Sequence, residues 1–217
     1  MDLNIVQKIT VYALPVIFAI TLHEAAHGYA AKHFGDTTAF MMGRISINPL
    51  RHIDPIGTIL VPLLSLMLGG ILFGWAKPVP VNFSQLRNPK KDMFWVAAAG
   101  PLANLAMAIF WAFMIKIATL MPGSSFALPL ALMGQAGVLI NAVLMILNLL
   151  PLPPLDGGRI AVSLLPQHLA YRYAMVEPYG MFILVGLLFT GILGSILWPF
   201  VTLFIKVLSA FFGISLG

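Results

Sequence analysis

Residues 9–27 read Ile9-Thr10-Val11-Tyr12-Ala13-Leu14-Pro15-Val16-Ile17-Phe18-Ala19-Ile20-Thr21-Leu22-His23-Glu24-Ala25-Ala26-His27. Up to Leu22 the stretch carries no charged side chain and is apolar enough to enter a bilayer, and the next five residues spell H-E-x-x-H. At helical pitch, His23 and His27 are one turn apart on the same face, so both imidazoles can reach a single metal ion. Glu24 stands one step round the helix, where a general base for water belongs. A metal centre of this kind usually sits on a helix facing an aqueous cleft. Here the flanking sequence predicts that it lies within the membrane.

The 217 residues are 60% hydrophobic and only 9% charged, against roughly a quarter charged in a soluble domain. The composition predicts an integral membrane protein whose length is taken up by spans and short connections, leaving no room for a soluble domain of ordinary size. With no cysteine, disulfides and thiolate metal sites are excluded, and His and carboxylate remain as ligands. The net charge of +5 comes from Lys and Arg scattered at span ends, not from a basic stripe interleaved with aromatics. It reads as a topology signal and argues against nucleic acid. The N-terminal stretch has no strongly basic start and no small-residue cleavage site before His23, and reads as a retained span.

Spans are predicted at about 5–31, 93–121, 129–150 and 178–213, the last long enough for two helices with a break between Gly191 and Pro199. The apolar stretch Ile56–Phe73 carries Pro62 and Gly69-Gly70 and is flanked on both sides by basic residues, which favours a re-entrant segment. That choice puts Asp156 at the cytoplasmic end of the 129–150 span. His23 then lies about 21 Å along the first helix and roughly 9 Å short of the inner edge, so the two meet at similar depth. The expected fold is all-α and polytopic, with about five to six transmembrane helices and a re-entrant segment. Arg44-Ile45-Ser46-Ile47-Asn48 and Val79-Pro80-Val81-Asn82-Phe83 alternate with period two and suggest a small membrane-associated β-element, although an irregular loop would give the same pattern.

A catalytic metal needs a third protein ligand. Among Asp2, Glu24, Asp36, Asp54, Asp92, Asp156 and Glu177, Asp156 stands out. Pro151, Pro153 and Pro154 end the helix before it, Gly157-Gly158 free the backbone after it, and a carboxylate beside so much apolar sequence is costly unless paired or metal-bound. The competing reading is a cap for a short helix from Gly158 or Arg159. Asn104, in Gly100-Pro101-Leu102-Ala103-Asn104, reads as an amide that hydrogen-bonds a bound peptide, orients the metal site or joins two helices. His33, His52 and His168 fall in polar connections and are expected at the surface.

Taken together, H-E-x-x-H at His23–His27, G-x-x-x-N at Gly100–Asn104 and N-x-x-P-x-P-x-L-D-G at Asn148–Gly157 resemble the site-2 protease family of intramembrane zinc metalloproteases. The likeness is to its short members without PDZ or CBS domains, which also share the pattern of Gly74–Asn82. It covers residues from about 20 to 160. The resemblance implies one Zn2+ per chain held by His23, His27 and Asp156, with Glu24 as catalytic base and Asn104 and Asn148 placing substrate or site. It further implies one integral-membrane protease domain over 1–217, with a catalytic core at about 5–165 and C-terminal helices at about 174–217. The expected substrates are membrane-spanning proteins cut within or next to their spans in regulated intramembrane proteolysis, with an edge of the β-element receiving an unwound segment. The implied setting is the prokaryotic inner membrane, with the site nearer the cytoplasm, the lipid bilayer around it, and a homo-oligomer or regulatory membrane partner. Two other readings of the ligand set are a divalent-metal transporter and a catalytically silent scaffold.

Overall fold

A computed structural model of the protein describes residues 4–60 and 76–216. Helix α1 spans Ile5–His33. Asn4 caps it by accepting from Gln7 N at 2.9 Å while Gln7 returns the bond to Asn4 N at 3.0 Å, so two of the orphan donors of the first turn are satisfied. After a one-turn helix α2 (Thr38–Met41), the chain passes through 3-10 and π turns at Pro49–His52 and Pro55–Leu60. It is described again from Ala76, leading to α3 (Pro89–Thr119) and α4 (Ala127–Asn148). Two short helices follow, α5 (Asp156–Leu164) and α6 (Gln167–Ala174), and then α7 (Glu177–Phe189) and α8 (Ile192–Phe212).

Helices α1, α3 and α4 pack on one another as a three-helix bundle; α5 lies against α3, and α8 against α3 and α4. Small residues make this close approach possible. Ala97, Gly100, Ala108 and Ala112 of α3 and Ala136, Gly137 and Ala142 of α4 are all buried, so helix backbones meet with little side chain between them. Trp111 and Ile115 of α3 then fill the notch left by Gly134 and Gly137, and a Cβ on Gly137 would overlap the Trp111 indole. The outward faces are the reverse of a soluble protein's surface: Ile9, Ile17, Phe110, Phe113, Leu203 and Phe211 are all exposed. Those faces suit a hydrocarbon environment.

Four helices among the described residues, within Ile9–His33, Pro89–Thr119, Ala127–Asn148 and Ile192–Phe212, are long and apolar enough to cross a membrane. A fifth follows only if α6 and α7, bent by 60° at their junction, are taken as one span. Among the described residues the count is therefore four, or five with that pair, which reaches the lower end of the five to six helices expected. The expected re-entrant segment falls mostly on residues 61–75, outside the described ones. The C-terminal apolar stretch divides as expected, at the Gly191 end of the predicted interval, where a φ of +75° is cheap only for glycine; Pro199 lies inside α8.

The expected β-element is absent among the described residues. Pro78 and Pro80 have no N–H to give a ladder, and the N–H groups of Val79 and Asn82 are taken by the carboxylates of Glu24 and Asp36 at 2.8 and 2.7 Å. The alternation of 79–83 instead records docking on α1, where buried Val79 reaches the surface of Gly28; in 44–48 only Ile45 does so, and Ile47 is exposed. His52 also departs from expectation. It is 3% exposed, with Nε2 2.8 Å from Ser46 O, whereas His33 and His168 are exposed as expected.

Because the Gly137 notch is already full, Gly137→Ala should cost about 1–3 kcal/mol of stability. Thermal unfolding in detergent would register it as a lowered midpoint, partly restored when Trp111→Leu makes room.

Candidate metal centre

His23 and His27 project from the same face of α1, as their spacing requires, and Asp156 enters from the first residue of α5. The two Nε2 atoms are 3.2 Å apart, and each is 3.3 Å from Asp156 Oδ2. Asp156 does not cap its helix: α5 begins at Asp156 itself, with Leu155 in the cap position and no side-chain cap. Its Oδ2 is buried, makes no hydrogen bond of good geometry and is aimed between the imidazoles. Gly157 and Gly158 matter here through space, because neither has a positive φ. A Cβ on Gly158 would come within 2.7–2.8 Å of the Leu152 carbonyl carbon and Pro153 Cα, and one on Gly157 would strike the Leu149 and Leu150 carbonyls.

The triangle of donor atoms fits a tetrahedral zinc. Bonds of about 2.0–2.1 Å place tetrahedral ligands about 3.3–3.4 Å apart, and the three edges here are 3.2, 3.3 and 3.3 Å. One ion could touch all three and keep a fourth position. Burial opposes ionisation of Asp156, but the facing imidazoles, when protonated, outweigh it and hold its carboxyl down to about 2. It is therefore a carboxylate at neutral pH, as a ligand of a divalent cation must be.

The far side of each imidazole is also occupied. His27 Nδ1 lies 2.7 Å from Val96 O, and His23 Nδ1 lies 2.6 Å from Asn104 Oδ1. Both partners are oxygens that can only accept, so each Nδ1 carries the proton and each Nε2 presents a lone pair to the triangle. Asn104 is fully buried, and its Nδ2 donates to Ala19 O at 3.2 Å and to Asn141 Oδ1 at 2.9 Å. With its amide committed inside the bundle, the orienting role expected of it is favoured over contact with a substrate. Asn148 stands apart. Half-buried at the end of α4, it donates to Leu144 O at 2.9 Å in its own helix.

Glu24 is next to the triangle but not part of it, and its Oε2 accepts from Val79 N at 2.8 Å. Arg44 steadies the same stretch by donating from Nη2 to the carbonyls of Lys77 and Pro78, each at 3.2 Å.

Gly100, marked in the sequence as the start of G-x-x-x-N, lies under both imidazoles; a Cβ there would be 2.6 Å from His23 Cε1 and 2.7 Å from its Nε2, and closer still to His27 Nε2. Other contributors were not identified in the sequence. Val96 acts through its carbonyl and Val79 through its N–H, which no side-chain pattern discloses. Asn141 did leave a signal, being a lone amide in the most apolar part of α4, and such a group is costly in a membrane helix unless it has a partner.

The model of peptidase family M50 matches residues 113–191. The provisionally named zinc metalloprotease YwhC of Bacillus subtilis (strain 168) is 36% identical over 86% of this chain and 83% of its own length. The similarly named Rip2 of Mycolicibacterium smegmatis is 31% identical over 80% of this chain and 64% of its own. Rip2 of Mycobacterium tuberculosis (strain H37Rv) is 33% identical over 65% and 52%, respectively. No solved structure matches the chain.

Two substitutions test the centre. His27→Ala removes a donor, and Gly100→Ala keeps all three but puts a methyl group between them. In both, metal analysis of the purified protein should find well under one zinc per chain while circular dichroism reports unchanged helix content; a full zinc complement in Gly100→Ala would refute the packing described here.

Proposed function

The chain belongs to peptidase family M50 and is a zinc metalloprotease; from that premise we propose that it cleaves membrane proteins within or next to their spanning segments. Its long apolar helices, together with the family, support its being an integral membrane protein. The observation that carries the proposal is the position of the donor triangle, 7% exposed at His23 and enclosed by α1, α3 and α5. A bond that reaches it belongs to a segment lying among those helices. The basic flanks at Lys32, Arg44, Arg51 and Lys77 support a site nearer the cytoplasmic face of a prokaryotic inner membrane.

In the proposed mechanism His23, His27 and Asp156 hold the zinc. When bound, the metal supplies Lewis acidity, polarising the scissile carbonyl and making water a stronger acid. Glu24 takes the proton of the attacking water and returns it to the leaving amine. Its Oε2 also accepts from Val79 N–H, which holds the carboxylate in place beside the centre. Val96 O and Asn104 keep both imidazoles turned with Nε2 toward the reacting centre throughout. Asn148, at the mouth of the turn leading to Asp156, is assigned to substrate placement on the family likeness alone. Inside a helix the scissile carbonyl is hydrogen-bonded four residues along the chain, so local unwinding precedes attack. The family assignment weighs against the transporter and silent-scaffold readings.

Purified wild type and Glu24→Gln, compared in detergent on a model transmembrane substrate, test this directly. Both should hold about one zinc, and Glu24→Gln should lose about 10²–10⁴-fold in kcat/KM. Cleavage surviving in Glu24→Gln would remove Glu24 as the base. Substrates with a helix-breaking pair near the cut should be processed faster than uniformly helical ones; equal rates would count against unwinding, and cleavage confined to soluble peptides would count against a membrane substrate.

A further inference from the structure

Asn141 lies in the middle of α4, fully buried, with its amide directed at Asn104 instead of at any ligand. We infer that Asn141 is a positioning residue of the metal centre, acting through Asn104 to fix the tautomer and ring orientation of His23. The inference rests on the zinc-ligand assignment proposed above.

The argument follows the polarity of the amides. His27 is oriented by a backbone carbonyl, which can only accept. His23 is oriented by a side-chain amide, which can be turned over. With Oδ1 toward His23, Asn104 requires the proton on Nδ1. Turned over, it would present NH2, favour an unprotonated Nδ1 and move the proton to Nε2, the atom that must be free for the ion.

Asn141 removes that freedom. Its Nδ2 donates to Gly137 O at 2.8 Å, and a carbonyl admits no other direction, so its Oδ1 must face Asn104. Asn104 must then offer Nδ2 to Asn141, and the same NH2 also reaches Ala19 O. Turning Asn104 over would bring two amide oxygens together in a fully buried site. The donor direction therefore runs one way, from His23 through Asn104 and Asn141 to Gly137, set by two backbone carbonyls. A residue with no contact to metal or substrate determines which nitrogen of His23 is available.

The test uses full-length protein in detergent and reads zinc affinity by competition with a chromophoric chelator. Asn104→Leu should weaken zinc binding about 10–100-fold, in the range for lost outer partners of a metal-bound histidine. Asn141→Leu should weaken it in the same direction by at least about 5-fold, and the double variant should be no worse than Asn104→Leu, because both act through one hydrogen bond. Ring 15N signals of His23 in the zinc-free protein should report proton on Nδ1 in the wild type and a tautomer mixture in Asn141→Leu, a change that loss of packing alone would not produce. Asn141→Asp keeps an acceptor facing Asn104 and should hold zinc within a few-fold of wild type, which keeps the question answerable should the leucine variant not fold. Wild-type affinity and an unchanged His23 signal in Asn141→Leu, or losses that multiply in the double variant, would overturn the relay while leaving the ligand assignment intact. Zinc retained at wild-type affinity in His27→Ala would instead sink the ligand assignment, and the relay with it.

Discussion

A buried imidazole has two ring nitrogens to satisfy, and among apolar helices no solvent stands ready to take the spare one. Two such rings, one turn apart on α1, impose this demand twice, and the arrangement of α3 follows from it. Val96, Gly100 and Asn104 are spaced four apart, so they line one stripe of α3 as acceptor, gap and acceptor. The acceptors take the two Nδ1 protons, and the gap lets the rings lie against the backbone. Placing Asn104 there creates a further buried amide to satisfy, which is met from α4 by Asn141. Three helices are thereby brought to close quarters through polar contacts, and the small residues along their interfaces permit the distance.

Reading the chain alone recovers the parts of this that are local. H-E-x-x-H fixes two rings on one face, apolar runs mark α1, α3, α4 and α8 to within a few residues, and the proline-glycine punctuation around Asp156 singles out the third donor. What cannot be read is pairing at a distance. Nothing near Asn104 says that its oxygen meets a residue 81 positions earlier, and nothing near Val96 shows that its carbonyl is used. The glycines at 157 and 158 look like conformational hinges in sequence, yet they are there because a turn passes against them.

The alternation at 79–83 misleads for an instructive reason. Period two reports that one side of an extended chain is buried, not what buries it. Here the burying surface is a helix. Two carboxylates of the α1 region, Glu24 and Asp36, collect backbone N–H groups from Val79 and Asn82. The loop is thus fastened by side chains at the points where a strand would be fastened by a neighbour.

Asp156 follows His27 by 129 residues and belongs to a short helix outside the long bundle. Under the proposed assignment, the ion therefore acts as a clasp closing most of the chain into one loop, a constraint that restricts the unfolded protein more than the folded one. It also orders events during synthesis. The histidines enter the membrane when most of the chain does not yet exist, and they supply only two of the three ligands until the last third emerges. An incomplete polypeptide holds two imidazoles and a base without their counter-ligand, so a truncated product of translation is not a stray hydrolase in the bilayer that received it.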